Sequence, residues 1–261
     1  MNTPNTSAVA RKLQRAATKL RSQVNQLSFG GEVAYVYNPL DYAWAAHKHY
    51  IARFGANQKK ILFLGMNPGP FGMMQTGIPF GEVAAVRDWM DISEPIKAPK
   101  HFHPKRPIQG FDCTRSEVSG KRLWTWAAER YGSADKFFAE RFVLNYCPLV
   151  FLGSTGRNLT PDKLPAAELA PLQQACDAHL LTVIDALKPA WTLGVGGYAA
   201  RRLSLVTGHD IESNASSNSS EPQIDRAPRV GQILHPSPAS PIANRGWAPA
   251  AEKQLAALDL L

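Results

Sequence analysis

Two amides and one imidazole each follow an apolar run of this chain. Asn67 sits in the turn Met66-Asn67-Pro68-Gly69-Pro70 after KKILFLG, Asn145 closes FVLN, and His235 opens HPSP directly after QIL. An amide offers donors and an acceptor but takes up no proton at ordinary pH. A neutral imidazole offers one donor and one acceptor. These types suit reading a ligand's hydrogen-bonding edge, and none of the three is a carboxylate. Each also has a structural alternative. Asn67 can cap a turn, and a histidine at a strand end can be part of the scaffold. Asn145 lies in an apolar strand, where Asn is disfavoured. Buried there, it needs backbone or ligand partners, because an unpaired amide costs about 1–3 kcal/mol.

The elements that must hold these residues alternate. Short apolar runs predict strands at Ile61–Gly65, Phe142–Leu144, Trp191–Val195 and Val230–Leu234. The second run continues toward FVLNYCPLVF. Helical spacing predicts helices over about 7–28, near Tyr42–Phe54, and over Glu82–Met90, Gly120–Tyr131, Ala166–Leu187, Tyr198–Thr207 and Ala248–Leu258. The 7–28 helix is amphipathic, with a basic exposed face. Such alternation implies a mostly parallel sheet covered on both faces, an α/β/α sandwich. Ligands of such sheets bind beyond the carboxyl ends of the strands, where the two amides and the imidazole fall. Gly194–Gly197 lacks a full phosphate-binding fingerprint and is read as strand–helix packing. Trp124 and Trp126 are read as one core and one surface residue. Residues 91–112 are rich in Pro and basic residues, and about 212–222 (ESNASSNSSEP) reads as a flexible loop. No repeat or boundary divides residues 1–261, so a single domain is expected.

The totals narrow the class. The 261 residues are 44% hydrophobic and 19% charged, as in a soluble globular chain. No apolar run reaches the roughly 20 residues of a membrane span. The N-terminus has no secretory signal pattern. Cys113, Cys147 and Cys176 form no C-x-x-C pair, so no metal site, cluster or disulfide framework is expected, and a reducing compartment fits. A net charge of +8 favours an anionic partner, nucleic acid first.

The longer motifs are more specific than their parts. GMNPGPFGMMQTGIPFGEV at 65–83 and HPSPASPIANRGW at 235–247 closely resemble the two signature motifs of the single-strand-selective monofunctional uracil-DNA glycosylases. HPKRPIQGFDCTRSEVSGKRLW at 103–124 and FVLNYCPLVFLGSTGRNLTP at 142–161 are similar to the same family, and the likeness covers most of residues 30–250. The resemblance implies the uracil-DNA glycosylase fold and hydrolysis of the N-glycosidic bond of uracil and related pyrimidines in DNA. It implies no metal and no cofactor, and a partner that is single- or double-stranded DNA. It also implies work in base-excision repair; with the reducing composition, that role places the chain in the cytoplasm or nucleoid of a bacterium or the nucleus of a eukaryote, and a monomer is the default for an enzyme that scans DNA.

It further implies roles for matching positions. Asn67 would hold the attacking water and His235 would donate to uracil O2. Asn145 would read the Watson–Crick edge, Phe80 would lie against the flipped base, and the Met66 backbone would touch it. Gly156, Arg157 and Asn158 would meet the DNA backbone. Ser237, Ala239 and Arg245 belong to the segment that would enter the duplex. Ala239 departs from the family, which often has Arg there, and Ala is too small to plug the gap; Arg245 would partly substitute. Lys100, Lys105 and Arg106 would add nonspecific affinity. The alternatives are a deaminated-purine glycosylase, acting on xanthine or hypoxanthine, and a noncatalytic binder of single-stranded nucleic acid.

Overall fold

The computed structural model describes residues 6–99, 101–213 and 227–261. Helix α1 (Ala8–Val24) starts at Ser7, whose hydroxyl accepts the Ala10 N–H at 3.1 Å. It buries Ala10, Leu13, Ala17, Leu20 and Val24 on one face, against the later helix Ala166–Leu187. Strand β1 (Tyr35–Tyr37), helix α2 (Pro39–Tyr42) and helix α3 (Trp44–Phe54) follow. Next come β2 (Ile61–Gly65), α4 (Met73–Thr76), α5 (Val118–Tyr131), α6 (Ala134–Glu140), β3 (Arg141–Asn145), β4 (Val150–Leu152) and β5 (Asn158–Leu159). The chain ends with α7 (Ala166–Leu187), β6 (Trp191–Val195), α8 (Gly197–Thr207), β7 (Ile211–Glu212), β8 (Arg229–Ile233), α9 (Pro241–Asn244) and α10 (Trp247–Ala257).

The main sheet has the order β3-β2-β6-β8-β7, with all described pairs parallel. Every residue of β2, β3 and β6 is buried, as apolar runs between two helical layers require. From β2 the chain goes to β3 on one side and later to β6 on the other. The strand order therefore reverses at β2, which puts the ligand crevice at its carboxyl end.

Some elements differ from expectation. The run FVLNYCPLVF is two strands of different sheets, since β4 pairs antiparallel with β1 and β5. Pro148 brings no N–H to a ladder, and the Cys147 N–H goes to the Met66 carbonyl at 2.9 Å, so the run breaks between them. In the segment 82–90, Ala85–Trp89 is π-helical, with the Met90 N–H bonded to the Ala85 carbonyl. Its wider turn sets Trp89 against Trp124, 5.9 Å between centroids, with the Trp89 N–H on the Gly132 carbonyl. Trp124 and Trp126 are both core residues. Trp126 meets Trp247 edge-on, and its N–H reaches Glu252. Gly194 bears out its packing role, because a Cβ there would stand 2.2 Å from the Ala200 nitrogen of α8. Residues 214–222 of the Ser/Asn-rich segment lie outside the described residues, as does Lys100.

Candidate active site

A cavity of about 430 Å³ opens at the carboxyl end of β2. Asn67, Asn145 and His235 all line it, with Met66, Phe80, Asn158 and Ser237. The three polar residues singled out by type thus meet in one space, although 168 positions separate Asn67 from His235.

Asn145 is placed by sheet register. It ends β3 directly opposite Gly65 of β2. A Cβ on Gly65 would stand 2.4 Å from Asn145 Oδ1 and 2.6 Å from the Phe80 ring, so the missing side chain is the space both occupy. The Asn145 Nδ2 donates to Met73 Sδ at 3.3 Å, a weak acceptor for a buried amide. No backbone group takes it among the described residues, which leaves a stronger partner to come from the cavity.

Phe80 is buried at φ +53°, a conformation unusual for an aromatic residue. The Trp124 indole holds it by donating to the Phe80 carbonyl at 2.8 Å. Gly120 makes this possible, since a Cβ there would meet that carbonyl oxygen at 2.0 Å. The Phe80 and His235 rings stand 6.0 Å apart.

Asn67 is held through its nitrogen, which donates to the carbonyls of Leu149 at 3.3 Å and Pro68 at 3.4 Å. Carbonyls only accept, so the amide must point its nitrogen at them and keep its oxygen free to accept. The Met66 carbonyl is taken by Cys147, which leaves the Met66 N–H for a ligand. Gln75, 2% exposed, ties this loop down: its nitrogen donates to the Pro70 and Pro107 carbonyls, and its oxygen accepts from the Gln109 and Gly110 N–H groups. Gln75 lay inside a quoted motif but carried no pattern that marked it as a clamp.

His235 stands two residues beyond the carboxyl end of β8, with its Cβ 3.0 Å from where a Gly196 side chain would begin. Burial pushes its pKa down to about 4, so the ring is neutral at pH 7 and has one N–H to give. The segment after it is fixed by Arg122, which donates to the Pro236 carbonyl at 3.0 Å, the Ser237 carbonyl at 3.3 Å and Asn244 Oδ1 at 2.8 Å. Ser237 Oγ accepts the Ala239 N–H at 3.1 Å. Ser237 and Pro238 line the cavity, and further along the segment Ala239 and Arg245 are exposed, as is Ile242, a large apolar side chain 53% exposed on α9. Arg122 and Ile242 escaped the sequence, one as an ordinary helix cation and the other as a conventional apolar residue.

On the other rim, Gly156 has φ +81° and its carbonyl accepts from Arg106 Nε at 3.0 Å. Arg157 is exposed and pairs with Glu32 at 3.4 Å; Asn158 is exposed at the cavity edge. Arg106 and Arg115 also stack on Phe71, at 5.4 Å and 4.3 Å from its centroid. Lys105 is exposed nearby. Among the described residues, no group of three or more His, Cys, Asp or Glu is arranged to hold a metal ion. Glu117, which no pattern singled out, contributes a carboxyl group to the cavity lining.

The model of the uracil DNA glycosylase superfamily matches residues 52–258, which include the whole of this constellation. The chain belongs to that superfamily. Three curated relatives are named single-strand selective monofunctional uracil DNA glycosylase: one from Mus musculus is 42% identical over 99% of this chain and 88% of its own length. One from Bos taurus is 41% identical over 99% and 90%, and one from Rattus norvegicus is 44% identical over 93% and 82%. Their family is therefore the family of this chain. The crystal structure of wild-type Pedobacter heparinus SMUG2 shares the fold, with a TM-score of 0.59 at 19% identity over 94% of this chain and 97% of that one. No helix among the described residues is long and apolar enough to cross a membrane.

Proposed function

We propose that this chain is a monofunctional DNA glycosylase that hydrolyses the N-glycosidic bond of uracil and related modified pyrimidines in DNA, leaving an abasic site for base-excision repair. The observation that carries it is the meeting of Asn67, Asn145 and His235 in one cavity with a buried aromatic wall. Its volume, about 430 Å³, lies within the roughly 300–1,000 Å³ usual for small-molecule sites.

The target nucleotide leaves the stack and enters the cavity. Phe80 lies against the base. Asn145 donates to uracil O4 and accepts from N3–H, while the Met66 N–H adds a donor. Cytosine presents the opposite pattern at those atoms and leaves polar groups unmatched, which discriminates strongly. As the C1′–N1 bond breaks, its electron pair leaves with the base. His235 donates to the charge growing on O2, which a neutral ring already in place does without reorganisation. Asn67 Oδ1 holds the water whose oxygen bonds to C1′, and the proton that water sheds neutralises the uracil anion. No amine takes part, and no lysine is among the described residues that line the cavity.

DNA is held from both rims. Arg157, Asn158 and the Arg106–Phe71–Arg115 stack offer N–H donors to phosphates on one side. On the other, the segment from Ser237 to Arg245 approaches the vacated stack. Ala239 fills little of it, and Ile242, a large apolar side chain exposed on α9, enters in its stead.

An oligonucleotide panel tests this. Each strand carries one damaged base, and abasic product is read by alkaline cleavage for the wild type, Asn67→Ala and His235→Ala. Uracil release by the wild type, cut at least ~100-fold in each variant, is expected. Folded wild-type protein that releases no base contradicts the proposal.

A further inference from the structure

Glu117 is the one carboxylate among the described residues lining the cavity. It is the N-cap of α5, where Oε1 accepts the Ser119 N–H at 3.3 Å and Oε2 accepts the Gly120 N–H. The cap holds the side chain in place and favours its ionised form. Burial acts the other way and raises its pKa, against the lowering by the Gly120 and Ser119 N–H groups.

Its position is specific. A Cβ on Gly72 would stand 2.9 Å from Glu117 Cγ, and one on Gly69 3.6 Å from Oε1. These two glycines let the Asn67 loop close over the carboxylate. On its other side, a Cβ on Gly120 would meet Glu117 Oε2 at 2.8 Å and the Phe80 carbonyl at 2.0 Å. Glu117 therefore stands between the loop that presents Asn67 and the wall formed by Phe80. In a flipped nucleotide, the sugar lies between the attacking water and the base.

A fixed negative charge here is a poor choice for binding DNA, because it repels the incoming phosphates. Beyond its cap on α5, it helps where positive charge develops during the reaction, and that place is the sugar. We propose that the Glu117 carboxylate is the anion of this active site, stabilising the positive charge on the sugar as the C1′–N1 bond breaks. Asn67, an uncharged amide, positions water but cannot supply this. The carboxylate takes up no proton and ends the cycle as it began. The assignment depends on the glycosylase chemistry proposed above.

Glu117→Gln keeps the size of the side chain and an oxygen for the cap while removing the charge. Under single-turnover conditions, uracil release is expected to fall about 10- to 100-fold, with affinity for an abasic-product oligonucleotide unchanged or tighter. Asn67→Asp is expected to raise the rate more in the Glu117→Gln background than in the wild type, because it restores a charge there. A purely capping Glu117 would instead lower the melting temperature and leave the rate of the folded protein intact, which overturns the proposal. A second measurement needs no variant. An oligonucleotide with a cationic pyrrolidine in place of the sugar should bind the wild type, with free uracil present, at least ~10-fold tighter than one with neutral tetrahydrofuran; equal binding overturns the role. Absence of uracil release by the wild type sinks the glycosylase chemistry itself, whereas full release by Glu117→Gln sinks only the carboxylate.

Discussion

Gly65 shows how much one missing side chain decides. The Asn145 amide and the Phe80 ring both occupy the volume that a Cβ would take. Gly65→Ala should therefore displace the two residues assigned to the base by several tenths of an ångström or more. Displacements near 1 Å cost on the order of 100-fold in rate. The expected result is kcat/KM on a uracil oligonucleotide at least ~100-fold lower, with secondary structure by circular dichroism preserved; near-normal kinetics would contradict the crowding. Asn67, Asn145 and His235 were visible in the sequence because polar residues after apolar runs are unusual. Gly65 and Glu117 were not, since their importance lies in space and burial, which chain order does not display.

The segment from His235 to Gly246 works as a unit. Arg122 crosses from α5 to hold two of its carbonyls and Asn244, and Asn244 Nδ2 donates back to the Pro238 carbonyl at 2.8 Å. The capped α9 then presents Ile242 to solvent. An apolar wedge matters where a base pair must be opened and little where the strand is already single. Ile242→Ala should lower kcat/KM on duplex substrate about tenfold and leave single-stranded substrate nearly unchanged. Arg122→Ala, which also frees the carbonyls next to His235, should lower activity on both substrates but more on duplex, with both ratios read from steady-state assays on matched duplex and single-stranded oligonucleotides. Equal losses on both substrates would remove the wedge assignment.

Across the whole molecule, three histidines are kept neutral by burial. His47 is lowered to about 4, with Nδ1 on the Gly77 carbonyl at 2.8 Å, and His179 to about 3, with its Nδ1 unpartnered among the described residues. His235 is lowered to about 4. Between pH 6.5 and about 4 the unfolded chain binds more protons than the folded one, so stability falls as pH falls through that window and is fully present above it. The fully buried His47 and His179 should each remove roughly 3 kcal/mol by the acid end. Urea denaturation at pH 7, 5.5 and 4.5 reads this, and His179→Gln should flatten the slope. Stability that held constant through the window would mean that these rings are not buried neutral.

The sequence by itself determined the alternation of strands and helices, because apolar runs and helical spacing are local patterns. Ile61–Gly65, Trp191–Val195 and Ala166–Leu187 coincide with observed elements residue for residue. It also marked Asn67, Asn145 and His235 as polar residues suited to chemistry, and its motifs carried the family. Tertiary structure alone decided that Asn145 faces Gly65, that FVLNYCPLVF divides between two sheets, and that Glu117 enters the cavity. These outcomes depend on parallel register and on contacts between residues tens of positions apart. Such contacts are fixed when strands pair and loops close over one another; a local residue such as Pro148 can break a run but does not choose its partners.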